Sequence, residues 1–182
     1  MQRFIITGLL LISTLSTSSQ GNNYPASKTP VKWLTFPEAE KLFNQNPKPF
    51  FIDTYTDWCG WCKKMDQETF TNSVISDILN NRFYPIKFNA EGKEEVTFLG
   101  QKFINDGKAG AAHQLAVVLL NGQLSYPTVV LMTKDGEKYS VSPIPGFRQA
   151  KEMEVLLSFF ADKAYLSQNW DNYQRNFKGK VK

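Results

Sequence analysis

The chain has 182 residues, 42% of them hydrophobic, and a formal charge of +4 spread along its length. That is enough apolar sequence for one domain to bury a core without disulfide staples. The densest basic run is the tail from Arg175 to Lys182, and no cationic cluster is interleaved with aromatics elsewhere, which argues against nucleic-acid binding and leaves the tail as a solvated end.

Residues 1–20 carry one cation, Arg3, then an uncharged apolar run from Phe4 to Leu15, then Ser16-Thr17-Ser18-Ser19-Gln20. This is the layout of a secretory signal, and the run is shorter than the roughly 20 residues a spanning helix requires. Export to the periplasm is the expectation, with membrane anchoring if the signal stays uncleaved. Residues 21–30 read as a linker, rich in Asn, Pro, Ser and Thr.

A first strand is expected near Val31 to Leu34. Thr35-Phe36-Pro37-Glu38 then has a hydroxyl three residues before a glutamate and a proline in the first turn, which starts a capped helix. That helix should run to about Phe43 with Ala39, Leu42 and Phe43 facing inward. Phe50 to Tyr55 reads as a buried central strand interrupted by Asp53, and a buried aspartate is costly unless it has a partner or a task.

The only two cysteines stand in Trp58-Cys59-Gly60-Trp61-Cys62-Lys63, at the junction where the strand pattern turns helical. A structural staple gains most when it closes a long loop, whereas this pair closes a minimal one, so the spacing favours a redox pair over a staple. An oxidising compartment permits either state of it.

A helix is expected over about 72–79, a strand over Phe83 to Asn89 containing Lys87, and a helix from Glu94 to Ile104 with Val96, Leu99 and Phe103 on one side. Ala111 to Leu120 has helical spacing closed by Asn121-Gly122. It carries the lone histidine, His113, which reads as a surface or packing residue. Tyr126-Pro127-Thr128 precedes a β-branched strand, Val129 to Met132, and Lys134-Asp135-Gly136-Glu137 turns it into a hairpin with Lys138 to Val141. A helix over about 149–165 follows. Trp170, Tyr173 and Phe177 then define a short amphipathic helix that should dock back on the body.

The element order, with Trp-Cys-Gly-x-Cys-Lys after the central strand and Tyr-Pro-Thr before the hairpin, resembles the thioredoxin superfamily over about Val31 to Ala161. The resemblance implies an α/β fold: a mixed four- to five-stranded sheet flanked by helices, with an inserted helix before a cis-proline. The thioredoxin-like domain would span 31–165 and a helical extension 166–182. In this resemblance Asp53 looks like the family's buried acid, Lys87 like the lysine paired with it, and Pro127 like the cis-proline facing the cysteines. The segment Asp53 to Phe70 is also similar to the C-terminal domain of bacterial transmembrane thiol-disulfide interchange proteins and to their soluble exported relatives. Trp61, where proline is usual in thioredoxin itself, is a departure.

The chemistry expected of such a site is a Cys59/Cys62 dithiol-disulfide cycle with no other cofactor and no metal. A helix N-terminus stabilises a negative sulfur at Cys59, making it the exposed attacker and Cys62 the shielded resolver, with Asp53 taking the resolver's proton and Lys87 tuning Asp53. Trp58, Gly60, Trp61, Tyr126 and Pro127 would form the docking surface for protein or peptide disulfides. Strong oxidants commonly place a histidine between the cysteines, and Gly60-Trp61 stand there instead, so an exported reductase is expected, a monomer recharged by a membrane electron donor. The alternatives are a disulfide oxidase or isomerase, or a non-catalytic protein holding Cu(I) or a client. Zinc is short of ligands with two cysteines and one histidine.

Overall fold

The computed structural model describes residues 29–182, so the expected signal and most of the linker lie outside the described residues. The chain enters along the body without pairing as a strand. Only Leu34 forms a bridge, parallel to Ile86, with Leu34 N–H donating to Pro85 O at 2.8 Å. The strand expected over 31–34 fails because its backbone is taken elsewhere: Asn80 accepts from Lys32 N–H and donates to Pro30 O, and Thr35 at once caps a helix.

That helix, α1 (Phe36–Gln45), opens with the reciprocal Thr35–Glu38 capping box read from the sequence. Its buried stripe is Phe36, Ala39 and Phe43. Leu42, expected inward, is exposed instead, because it lies at one edge of that stripe, while at the other edge Glu40 accepts from Leu99 N–H. Strand β1 (Phe50–Tyr55) follows, then α2 (Gly60–Glu68), α3 (Ser73–Arg82) and strand β2 (Tyr84–Asn89). Asn72 caps α3 by accepting from Val74 and Ile75 N–H.

The helix expected over 94–104 is a β-hairpin, β3 (Val96–Phe98) and β4 (Gln101–Phe103). Leu99 and Gly100 both have positive φ, 52° and 74°, the backbone of a tight two-residue turn that no helix admits. Val96 and Phe103, which mimic one helical face, are cross-strand partners, and Phe98 buries against Phe36 and Phe50 with ring centroids 4.8 and 5.4 Å apart.

Helix α4 (Gln114–Leu119) is shorter than expected because His113 starts it. The His113 ring is buried. Its Nδ1 accepts from Leu115 N–H at 3.1 Å, which leaves the proton on Nε2 to reach Glu94 O at 3.0 Å. The histidine is thus a packed capping residue and not a surface one. Strands β5 (Thr128–Asp135) and β6 (Lys138–Pro145) form the long hairpin, and α5 (Ala150–Ala161) comes next. Lys163, with φ 54°, ends the helical run expected to reach Tyr165, and a 3-10 turn follows over Ala164–Leu166. The last helix, α6 (Trp170–Asn176), sets Trp170 and Tyr173 against Phe159 at 5.4 and 5.1 Å.

Four strands form one sheet in the order β2-β1-β5-β6, with β1 and β2 parallel and the other pairs antiparallel. Alternation along β1 feeds two cores. Phe50 and Ile52 pack under α1, α4 and the small hairpin, while Phe51 packs with Met65, Ile75, Leu79 and Met153 under α2, α3 and α5. Asp53 shares the parity of Phe51, so it points into the second layer, beneath α2.

Candidate active site

The chain leaves β1, turns through Thr56 to Trp58, and enters α2 with Cys59 as the capping residue. Cys59 N–H donates to Thr56 O at 3.1 Å, which closes the turn. Cys59 and Cys62 are joined as a disulfide with Cα atoms 5.3 Å apart. Cys59 Sγ accepts from Cys62 N–H at 3.1 Å, and it takes the place of the hydroxyl or carboxylate that usually satisfies a free amide of a helix's first turn. Gly60 opens the helix with empty space where a Cβ would stand.

In this oxidised state the expected difference in exposure is small: Cys59 is 4% exposed and Cys62 2%. What separates the two sulfurs is position. Cys59 Sγ lies on the helix end, where amide N–H groups favour negative charge, whereas Cys62 lies on the buried side of α2 with Met65.

Asp53 and Lys87 are register partners on the parallel pair β1 and β2, so their side chains leave the same sheet face side by side. Lys87 Nζ donates to Asp53 Oδ2 at 2.6 Å and also to Asp66 on α2. It lies 5.0 to 5.5 Å from the ring centroids of Tyr55, Trp33 and Phe70, an aromatic enclosure that fixes the ammonium. Burial pushes the Asp53 carboxyl up to about 6, with Lys87 holding it below where burial alone would take it. Burial also disfavours the Lys87 charge, but its two carboxylates outweigh that and its pKa is raised. Asp53 Oδ1 is buried and has no hydrogen-bond partner among the described residues, so one oxygen is open to take a proton.

Pro127 follows a cis peptide bond from Tyr126, immediately before β5. The pairing of Thr54 with Thr128 brings the start of β5 to the end of β1, and so the proline to the turn that carries the cysteines. Trp58 stands edge-on to Tyr126 at 6.0 Å, and Trp61 lies 5.4 Å from Phe147.

Four neighbours of this site escaped the sequence reading. Asp66 stands four residues after Cys62, so a same-face helical rule was the available signal. Lys64, by the same reasoning, stands three residues after Trp61. Phe147, against Trp61, and Glu91, which accepts from the Trp58 indole N–H, arrive from distant loops and leave no local trace.

Residues 15–180 match the family model Thioredox_DsbH, described as a protein of unknown function, DUF255. The chain is 29% identical over 110 residues to uncharacterized protein B0495.5 of Caenorhabditis elegans, covering 60% of this chain and 13% of the relative. It is 25% identical over 117 residues to the thiol:disulfide interchange protein DsbD of Pectobacterium atrosepticum, covering 64% and 17%. The chain therefore spans less than a fifth of the length of these curated relatives. A solved structure described as DsbH oxidoreductase superposes with a TM-score of 0.53 at 14% identity, covering 81% of this chain and 95% of the other. The fold is the thioredoxin fold. Among the described residues no helix is long and apolar enough to cross a membrane.

Proposed function

The chain belongs to the Thioredox_DsbH family, and from that premise we propose that it is an exported thiol-disulfide oxidoreductase that reduces disulfides of cell-envelope proteins. The observation that carries the reading is Cys59 Sγ capping α2 within bonding reach of Cys62. A redox role for the pair needs one sulfur whose charge is stabilised and a second to finish the reaction.

In the reduced protein, Cys59 thiolate attacks one sulfur of a client disulfide. A mixed disulfide forms between Cys59 and the client, and the client's other sulfur leaves as a thiolate. Cys62 then loses its proton, for which we assign Asp53, buried on the sheet face beneath α2 and with an open oxygen, as the acceptor. The Cys62 thiolate attacks Cys59 Sγ, the second client thiolate departs, and the Cys59–Cys62 disulfide remains. Two electrons have passed from the dithiol to the client, and a donor must return them before the next cycle. No group beyond the cysteine pair is needed to carry them. Relatedness to DsbD favours a membrane-borne donor and a periplasmic setting, in keeping with the apolar run from Phe4 to Leu15.

Reduction of an insulin-type disulfide by wild type, Cys59→Ser and Cys62→Ser tests the cycle. Both variants should lose turnover, and Cys62→Ser alone should accumulate a mixed disulfide through Cys59. The direction of flow is tested by equilibration with glutathione: a reduction potential near the roughly −120 mV of strong oxidants would overturn the reductase assignment.

A further inference from the structure

The disulfide lies between two aromatic pairs that carry opposite charges. On one flank Trp58, 67% exposed, donates its indole N–H to Glu91 Oε2 at 2.9 Å and stands against Tyr126. Glu91 is near enough to Tyr126 to add to the effect of burial in raising that phenol's pKa. On the other flank Trp61, 58% exposed, meets Phe147, and Lys64 Nζ hangs 5.2 Å over the Trp61 ring and 5.7 Å over that of Phe147.

Two indoles this exposed on either flank of one disulfide are costly surface for a packing role alone, and exposed apolar surface of this kind marks contact sites. Each charge is tied to the ring it accompanies. Lys64 does pair with Glu68, but at 3.8 Å between two half-exposed side chains, a contact worth little in water. The second oxygen of Glu91 takes no hydrogen bond among the described residues. Both charges are therefore available to an incoming chain.

We infer, resting on the disulfide-exchange reading above, that the surface around the disulfide selects polypeptide clients by charge order: a cystine-bearing segment with a cationic side chain on the Trp58–Glu91 flank and a carboxylate on the Trp61–Lys64 flank. A guanidinium would lie on the Trp58 ring while pairing with Glu91, and a carboxylate would pair with Lys64 beyond the Trp61 edge. Because an extended segment docked beside the cis Tyr126–Pro127 edge runs in one chain direction, the two orders of the same charges are not equivalent.

The test uses two disulfide-linked peptides of identical composition, one reading Arg-Cys-Glu and the other Glu-Cys-Arg in an otherwise neutral segment. Wild type should reduce one order with kcat/KM about five-fold above the other, the size expected of exposed charge contacts, and the ratio should fall toward one at about 0.5 M salt. The double variant Glu91→Lys, Lys64→Glu should reverse the preference, and Lys64→Glu alone should erase most of it. Equal rates for the two orders in wild type, or an unchanged preference in the double variant, overturns the inference and leaves the disulfide-exchange reading standing. Failure to reduce either peptide overturns both.

Discussion

Asp53 is a destabilising charge that the fold retains, and Asp53→Asn measures by how much. An ordinary aspartate titrates near 3.8 and the buried one near 6, so the native protein holds this proton more tightly than the unfolded chain does. Unfolding therefore releases a proton between those two values, and stability falls as pH rises from about 4 to about 6, then levels off. A shift of this size corresponds to about 3 kcal/mol of cost at pH 8. Asparagine keeps the shape and carries no charge. Lys87 keeps Asp66 and its aromatic enclosure, so its ammonium is still paired and fixed in the variant. Any constant penalty for losing the Lys87–Asp53 bond is thus the same at both ends of the range. Urea unfolding followed by circular dichroism, with the disulfide intact, should find Asp53→Asn close to wild type or slightly weaker at pH 4, and relatively more stable by about 2–3 kcal/mol at pH 8. A stability difference that is the same at both pH values would refute the reasoning.

The same titration predicts a kinetic limb: if ionised Asp53 accepts the Cys62 proton, single-turnover resolution of the mixed disulfide rises through about pH 6 in wild type, and that inflection is absent in Asp53→Asn. His113→Ala removes the acceptor for Leu115 N–H, the contact to Glu94 O and a ring packed edge-on to Phe88. It should cost about 2–3 kcal/mol in urea unfolding at neutral pH. The chain's end is held by buried Glu154, which accepts from Lys180 and Val181 N–H, and a Cβ on Gly179 would run into Glu154 Oε2. Gly179→Ala should therefore release the tail, seen as faster carboxypeptidase trimming with turnover of insulin unaffected, whereas unchanged trimming would show that Glu154 can move aside.

The legible parts of this molecule were those whose cause is local. The Thr35–Glu38 cap, the Asn121-Gly122 stop and the cysteine spacing each act within a few residues, and each stands in the structure where the sequence puts it. Asp53 and Lys87 are 34 residues apart, and only the resemblance to the thioredoxin superfamily implies their pairing; the parallel register that sets them side by side has no local trace in either segment. The residues 94–104 were misread because Val96, Leu99 and Phe103 satisfy a helical spacing while the Leu99-Gly100 turn dictates a hairpin, and the apolar count cannot tell one from the other. Val31 to Leu34 fails as a strand because the Asn80 side chain of α3 holds Lys32 N–H and Pro30 O, leaving only Leu34 to bridge to Ile86. Glu91 and Phe147 could not be assigned to the site from sequence at all, since only the assembled sheet brings their loops to α2.

Each cysteine is immediately preceded in the chain by an exposed tryptophan, and this makes the site report on itself. A disulfide accepts an electron from a neighbouring excited indole and darkens it, whereas a dithiol does so far less. Trp58 and Trp61 are placed to sense that change, while Trp33 lies beside Lys87 and Trp170 against Phe159, each set in its own surroundings. Emission from the unlabelled protein should brighten on reduction in proportion to the dithiol formed, with Trp61→Phe taking away part of the rise. The redox state of the pair can then be followed in real time, with no dye, no coupled enzyme and no substrate present.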